Sequence, residues 1–226
     1  MVIACDTSSV VCSVAIADQD QIVFQREAIG GQIHIEKLSL FLQEALDFCK
    51  VEGKKVSALA LAIGPGSFNG LRIGLATMKA LALARELPLI PIVSTDAMAL
   101  GLRQQLSGRC RAVIFSHRNF VHYADYDLGN EYPLVTPTFH YGPWDKLPDP
   151  DIDHYFGTAD RGFAQWLNED QATGSIKDRF HHLAADAGQV AFLAQLRHNQ
   201  ATPDLDQLEP FYNAEYEAKK WIPPTF

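Results

Sequence analysis

An α/β fold with mixed sheets flanked by helices is predicted from three observations. Three short β-runs follow one another at the start of the chain. Helix-length segments with a 3.6-residue apolar period then alternate with strands, and one apolar strand runs straight into a glycine-rich loop. The first run, Val2-Ile3-Ala4-Cys5, ends at the polar turn Asp6-Thr7-Ser8-Ser9. Val10 to Ala17 forms the second and Gln21 to Ile29 the third, with Asp18-Gln19-Asp20 as the turn between them. Turns this short imply antiparallel neighbours, so the chain opens as a meander. After Gly30-Gly31 a helix is expected, because Ile35, Leu38, Phe41, Leu42, Ala45, Leu46 and Cys49 fall at steps of three and four. Leu40 and Phe48 are apolar but lie off that stripe, which points to a second contact.

Ala58 to Ile63 is an unbroken apolar run and enters Gly64-Pro-Gly-Ser-Phe-Asn-Gly70. A second helix is expected over about 71–86. Its apolar residues surround most of the circumference, so it is buried on several sides or meets a partner. Pro88 to Val93 reads as a strand, and Ser94 or Thr95 can cap a third helix reaching about Leu106. The order β-β-β-α-β-α-β-α fits a ribonuclease H-like layout. A doubly wound nucleotide fold would alternate from its first strand. The chain is therefore divided into residues 1–105 and a second part, 106–226. In that second part Ala112 to Ser116 and Phe120 to Tyr126 suggest a hairpin around His117-Arg118-Asn119, and 163–167 and 180–197 read as helices. A degraded second copy of the first layout is an open reading, although no internal sequence repeat is evident. His181 and His182 are expected at the surface, and the polar tail from Thr202 is expected to be loosely held.

Composition narrows the function. The 226 residues are 47% apolar and 10% aromatic, which excludes global disorder. No apolar run approaches the roughly 20 residues that cross a bilayer, and the start does not read as a secretory signal. Cys5, Cys12, Cys49 and Cys110 are far apart, so reduced buried thiols in the cytosol are expected rather than a disulfide framework or zinc cluster. The net charge of −8 divides into −1 over 1–105 and −7 over 106–226. Such a chain is poorly suited to hold nucleic acid alone, because phosphate neutralisation supplies most non-specific affinity. In an RNA process another subunit would hold the RNA.

Several motifs could carry chemistry. Gly64, Gly66, Gly70 and Gly74 match neither a Walker A loop nor strict dinucleotide spacing. With Ser67 they could still offer backbone N–H groups to an anion, or serve close strand-to-helix packing. Arg72, in the first turn of its helix, opposes the dipole, so a carboxylate or nucleotide phosphate could hold it. Asp6, with Thr7 and Ser8, ends the first strand where a phosphate-handling member of this fold places an acid. The other reading is an Asx turn. A second acid is missing, since Ser116 stands where the hairpin would carry it. His34 lacks a histidine four residues on, where Leu38 stands, so no metal pair forms. No nucleophile elbow is present. Catalytic and metal sites are accordingly both assigned as none.

These motifs converge on a known family. Asp6-Thr7-Ser8-Ser9 with Ser13-Val-Ala-Ile16, His34-Ile-Glu-Lys-Leu38, Ala62-Ile-Gly-Pro-Gly-Ser-Phe-Asn-Gly-Leu-Arg-Ile-Gly-Leu-Ala76 and Pro88-Leu-Ile-Pro-Ile-Val-Ser-Thr95 together resemble the TsaB (YeaZ) family over roughly residues 1–100. The resemblance implies an actin-like ATPase (ASKHA) architecture with two ribonuclease H-like subdomains. It implies a cytoplasmic, non-catalytic subunit that binds and activates TsaD for threonylcarbamoyl transfer to the adenosine beside the tRNA anticodon. A TsaE-type ATPase would be a further partner, a homodimer would form when the chain is alone, and tRNA would be reached only through the complex. No cofactor is intrinsic, but ATP or ADP could sit at the interface with the partner subunit. The interface would use the helices of the first subdomain, with His34, Leu38, Leu40, Leu42, Leu71, Arg72, Leu75, Met78 and Lys79 as candidates. Asp6, Thr7, Ser8, Gly64, Gly66 and Ser67 are the candidate phosphate contacts. The sequence departs from the family where Ser116-His117-Arg118 replaces the usual Asp-Ala-Arg and where Asn69 replaces the usual Thr. Two alternatives remain: a homodimeric interaction module no longer tied to tRNA modification, and a nucleotide-dependent enzyme of the same fold.

Overall fold

The computed structural model describes residues 1–30, 33–129, 136–159, 161–169, 176–202 and 204–212. Strands β1 (Val2–Asp6), β2 (Val11–Asp18) and β3 (Gln21–Ile29) form the expected meander. Helix α1 (Ile33–Val51), β4 (Ala58–Gly64), α2 (Phe68–Arg85), β5 (Leu89–Val93) and α3 (Ser94–Leu102) follow. The strand order is β3-β2-β1-β4-β5, antiparallel from β3 to β1 and parallel from β1 to β5. That is the ribonuclease H-like arrangement.

The second part repeats it. Strands β6 (Gly108–His117), β7 (Phe120–Leu128) and β8 (His140–Pro143) are antiparallel, while β9 (His154–Thr158) and β10 (Phe180–His182) run parallel to β6, in the order β10-β9-β6-β7-β8. The same topology is thus built twice without a repeated sequence. Helices α4 (Arg161–Glu169), α5 (Ile176–Arg179) and α6 (Ala187–Leu196) complete the described elements. The helix expected over 180–197 is shorter than the periodicity suggests. Phe180 to His182 pair with β9, and Asp186 starts α6 by accepting from the N–H groups of Gly188 and Gln189 at 2.7 and 3.1 Å.

The alternation of Ala58-Leu-Ala-Leu-Ala-Ile63 sorts the first sheet into two faces. Leu59 and Leu61, with Ile3, Val14 and Ile16, pack under α1 and α2 through Leu38, Phe41, Leu42, Leu75 and Met78. Ala58, Ala60 and Ala62 face the other way, with Val2, Ala4, Ile90 and Ile92. These small side chains let α3 and α6 lie close against the sheet. The same core continues into Cys110, Ala112, Ile114, Ala124 and Phe156 of the second sheet. The outer face of the second sheet packs Val113, Val121 and Tyr155 against Phe163 and Leu167 of α4.

Two features tie the halves of the sequence together. Helix α6, although in the second part, packs on β1, β2 and β4. Asp96 at the start of α3 is fully buried and accepts from Tyr126 Oη at 2.6 Å, Thr136 Oγ1 at 2.5 Å and Arg197 Nη1 at 2.8 Å. Where a loose tail was expected, the described residues between Thr202 and Tyr212 are held. Thr202 N–H donates to Leu89 O at 2.9 Å, and Phe211 N–H to Ile63 O at 2.7 Å. Phe211 meets Phe139 edge-on at 5.1 Å, and Tyr212 stacks on Phe68 at 5.2 Å. The aromatic end from Trp221 lies outside the described residues.

Helix α2 sits unusually low on the turn after β1. A Cβ at Gly66 would collide with Ser8 O, one at Gly70 with Thr7 O, and one at Gly74 with Thr7 Oγ1. Alanine in a helix normally gains about 1 kcal/mol over glycine. Gly70→Ala should instead lower stability by about 1–3 kcal/mol, read from the denaturant midpoint, while Gly129→Ala, with nothing within 4 Å of the added methyl, should change it little. A Gly70→Ala protein as stable as the parent would show that the seat has slack.

Candidate functional site

The candidate phosphate contacts do come together, but they are occupied by one another. Asp6 ends β1, is fully buried, and accepts from Ser8 N–H through Oδ1 at 2.9 Å. Thr7 Oγ1 donates to Gly70 O at 2.8 Å, and Ser8 O accepts from Ser67 N–H at 2.7 Å. Ser67 caps α2 by accepting from Gly70 N–H at 3.3 Å. At Gly64, whose φ is +112°, a Cβ would press on Phe211 O and Leu71. The N–H groups of Ser8, Ser67 and Gly70 therefore already have acceptors inside this seat. The glycines serve close packing, the second of the two roles read from their spacing.

Burial pushes the Asp6 carboxyl up to about 7, opposed by its bonds to Ser8 and reinforced by the nearby Asp186 carboxylate. Its Oδ2 is buried without a hydrogen-bond partner. His34, at the start of α1, is also buried, and burial lowers its pKa. The backbone of Ser9, Thr7 and Val11 opposes that shift without giving Nε2 a well-directed bond. The bond from Ser8 N–H to Asp6 is the Asx turn, one of the two readings of this acid. Among the described residues no group of three or more His, Cys, Asp or Glu is placed to hold a metal ion. All four cysteines are free and buried.

The candidate interface residues separate into two sets. Leu38, Leu42, Leu71, Leu75 and Met78 are core residues beneath their own helices, and His34 is buried with them. They cannot offer side chains to a partner, because the same stripe that makes each helix amphipathic is the one turned onto the sheet. Glutamate at Leu75 or Met78 would unfold the chain rather than test an interface. Leu40 is 48% exposed. Arg72 is exposed and lies 4.5 Å from the centre of the Phe68 ring, so a cation–π contact holds it where a carboxylate or phosphate was expected. Lys79 is half-buried, with Nζ 3.5 Å from Asp206 O.

The outward face of α2 is carried by residues the candidate set lacks. Phe68 is 54% and Leu83 65% exposed, with Ala76 and Ala80 exposed between them. The signal was present: 68, 72, 76, 80 and 83 form a second stripe on the same helix, offset by about one position from 71, 75, 78 and 82. His181 also differs from expectation. It lies on β10, half-buried, with Nε2 3.3 Å from His154 Nδ1.

Fold and site define an α/β protein of two ribonuclease H-like units with a closed turn after the first strand. A solved chain described as YeaZ from Pseudomonas aeruginosa superposes with a TM-score of 0.75, over 93% of this chain and 98% of that one, at 21% identity. The family model for TsaD, tRNA N6-adenosine threonylcarbamoyltransferase, matches residues 25–133. The tRNA threonylcarbamoyladenosine biosynthesis protein TsaB of Escherichia coli K12 is 25% identical over 98% of both chains. That of Haemophilus influenzae is 35% identical over 43% of this chain and 41% of its own. The chain is therefore similar to TsaB proteins over almost its whole length.

The folded state holds the Asp6 proton more tightly than the unfolded chain does, so stability should fall as pH rises from about 3.8 to about 7 and be level above. Asp6→Asn keeps an acceptor for Ser8 N–H and removes the buried charge. It should melt higher than the parent at pH 8, with the gap narrowing below about pH 7 and closing only near pH 3.8. A pH-independent gap would contradict the assignment.

Proposed function

We propose that this chain is the non-catalytic partner subunit of a TsaD-type transferase in tRNA threonylcarbamoyladenosine biosynthesis, acting in the cytoplasm. The reading rests on one observation: α2, in a chain similar to TsaB over its whole length, carries an exposed apolar line of Phe68, Ala76, Ala80 and Leu83 besides its buried one. A second apolar stripe on a helix already packed to its sheet is what a helix-to-helix interface needs. Leu40 on α1 is likewise exposed. When the chain is alone, a second copy would cover the line and form a homodimer.

A non-catalytic role is supported by the chemistry of the buried turn. Asp6 is fully buried on the sheet face toward the start of α6, Ser116 stands where a second acid would be, and Leu38 stands where a second histidine would be. Activation of the transferase would then come from docking. Nucleotide, if it takes part, would sit at the interface with the partner or with a TsaE-type ATPase, and tRNA would be held mainly by the assembly.

Size-exclusion chromatography with light scattering tests the reading on the 25.1 kDa chain, alone and mixed with the TsaD-type subunit of its own organism. A homodimer that converts to a one-to-one complex is expected. Leu83→Glu should abolish both assemblies while leaving the melting temperature within a few degrees of the parent, as expected for an exposed position. Wild-type assembly by Leu83→Glu would remove α2 from the interface, and a homodimer indifferent to the transferase would favour a self-standing module.

A further inference from the structure

The β6–β7 hairpin carries a cluster of rings that the partner reading does not use. His117 pairs with Phe120 across the hairpin, and His122 pairs with Tyr141 on the edge strand β8. Alternation along β7 puts Phe120 and His122 on the sheet face that also bears Ala124 and Tyr126. The ring centres of His117, Phe120 and Tyr141 are 5.9, 6.4 and 5.2 Å apart, and their planes differ by only 15°, 29° and 23°. Three rings in one column would make one distance about twice the others. Three similar distances mean a triangle, so these near-parallel rings form a staggered tile. Tyr141 rests against the buried His122 ring at 4.9 Å, and Ser116 Oγ lies 3.2 Å from His117 Nδ1.

The tile is accessible. His117 is exposed, Tyr141 is 38% exposed and Phe120 half-buried. Beside it Arg118 stands exposed at the hairpin tip, held in the left-handed region at φ 56°. Rings on adjacent strands of one sheet, with a cation at their rim, are the chemistry that stacks unpaired bases and meets a phosphate. Buried packing alone does not explain rings left open to solvent at a sheet edge.

We infer that this tile stacks unpaired bases of single-stranded RNA, with Arg118 meeting one backbone phosphate. The contact is independent of the α2 interface and adds a direct RNA contact to a chain whose overall charge repels RNA. One cation gives a shallow salt dependence, with a slope near 0.7 in log–log terms. Affinity should then fall only about threefold between 50 and 200 mM salt.

The test is fluorescence anisotropy of a labelled ten-nucleotide oligoadenylate with the full chain at 50 mM salt. Saturable binding is expected, with an RNA duplex of the same length binding at least about tenfold more weakly. Tyr141→Ala should weaken binding about tenfold with an unchanged melting temperature, because the residue is at an edge and partly exposed. Tyr141→Phe should bind like the parent, and Arg118→Ala should flatten the salt dependence. Absence of saturable binding, equal binding of the duplex, or parental binding by Tyr141→Ala would each overturn the proposal. Loss of partner assembly in Leu83→Glu with oligoadenylate binding retained would separate the two surfaces.

Discussion

The seat of α2 on the turn after β1 is the constraint on which the rest of the first half depends. Gly66, Gly70 and Gly74 leave no side chain between the helix and Thr7–Ser8, and Thr7 Oγ1 and Ser8 O bond directly to α2 and its lead-in. Backbone-to-backbone contact of this kind fixes the rotation of the helix as well as its height. With the rotation fixed, Leu71, Leu75 and Met78 point to the sheet, and Phe68, Ala76, Ala80 and Leu83 point away. One packing contact thus closes the turn after β1 and sets which residues of α2 face outward.

The halves of the chain are also held to each other. Asp96, Tyr126 and Arg197 come from α3, β7 and the end of α6, and their bonds lie in the core between the sheets. A buried ion pair of this kind costs several kcal/mol to break by losing one partner. The segment from Thr202 to Tyr212 adds backbone bonds to Leu89 and Ile63 at the edge and end of the first sheet. Separating the two sheets would break the bond from Tyr126 on β7 to Asp96 on α3.

Much of the first half was legible in the sequence because local pattern and tertiary role agree there. The helix stripe of α1 and the alternation in Ala58 to Ile63 each state which face is buried. The second half was less legible for physical reasons. Strands β8 and β10 have four and three residues, too few for periodicity to show, and Phe180 to His182 continue an apolar pattern that reads as helix until Asp186 caps α6. The Asp96–Arg197 pair spans 101 residues and leaves no local signal. Within the site, periodicity found the apolar residues of α2 but not which stripe faces out. That depends on the glycine seat, which only the packed structure reveals. Arg72 was similarly ambiguous, because its partner, Phe68, is a ring rather than an anion.

The central claim is that the outward faces of α1 and α2 form the partner surface while the Thr7–Ser8 turn stays closed beneath α2. Hydrogen–deuterium exchange of the chain, free and bound to a TsaD-type subunit, tests it most directly. The account predicts new protection in peptides covering 36–44 and 68–84, with the already slow amides of 3–8 unchanged. Protection confined to the second sheet, or faster exchange at 3–8 on binding, would contradict it.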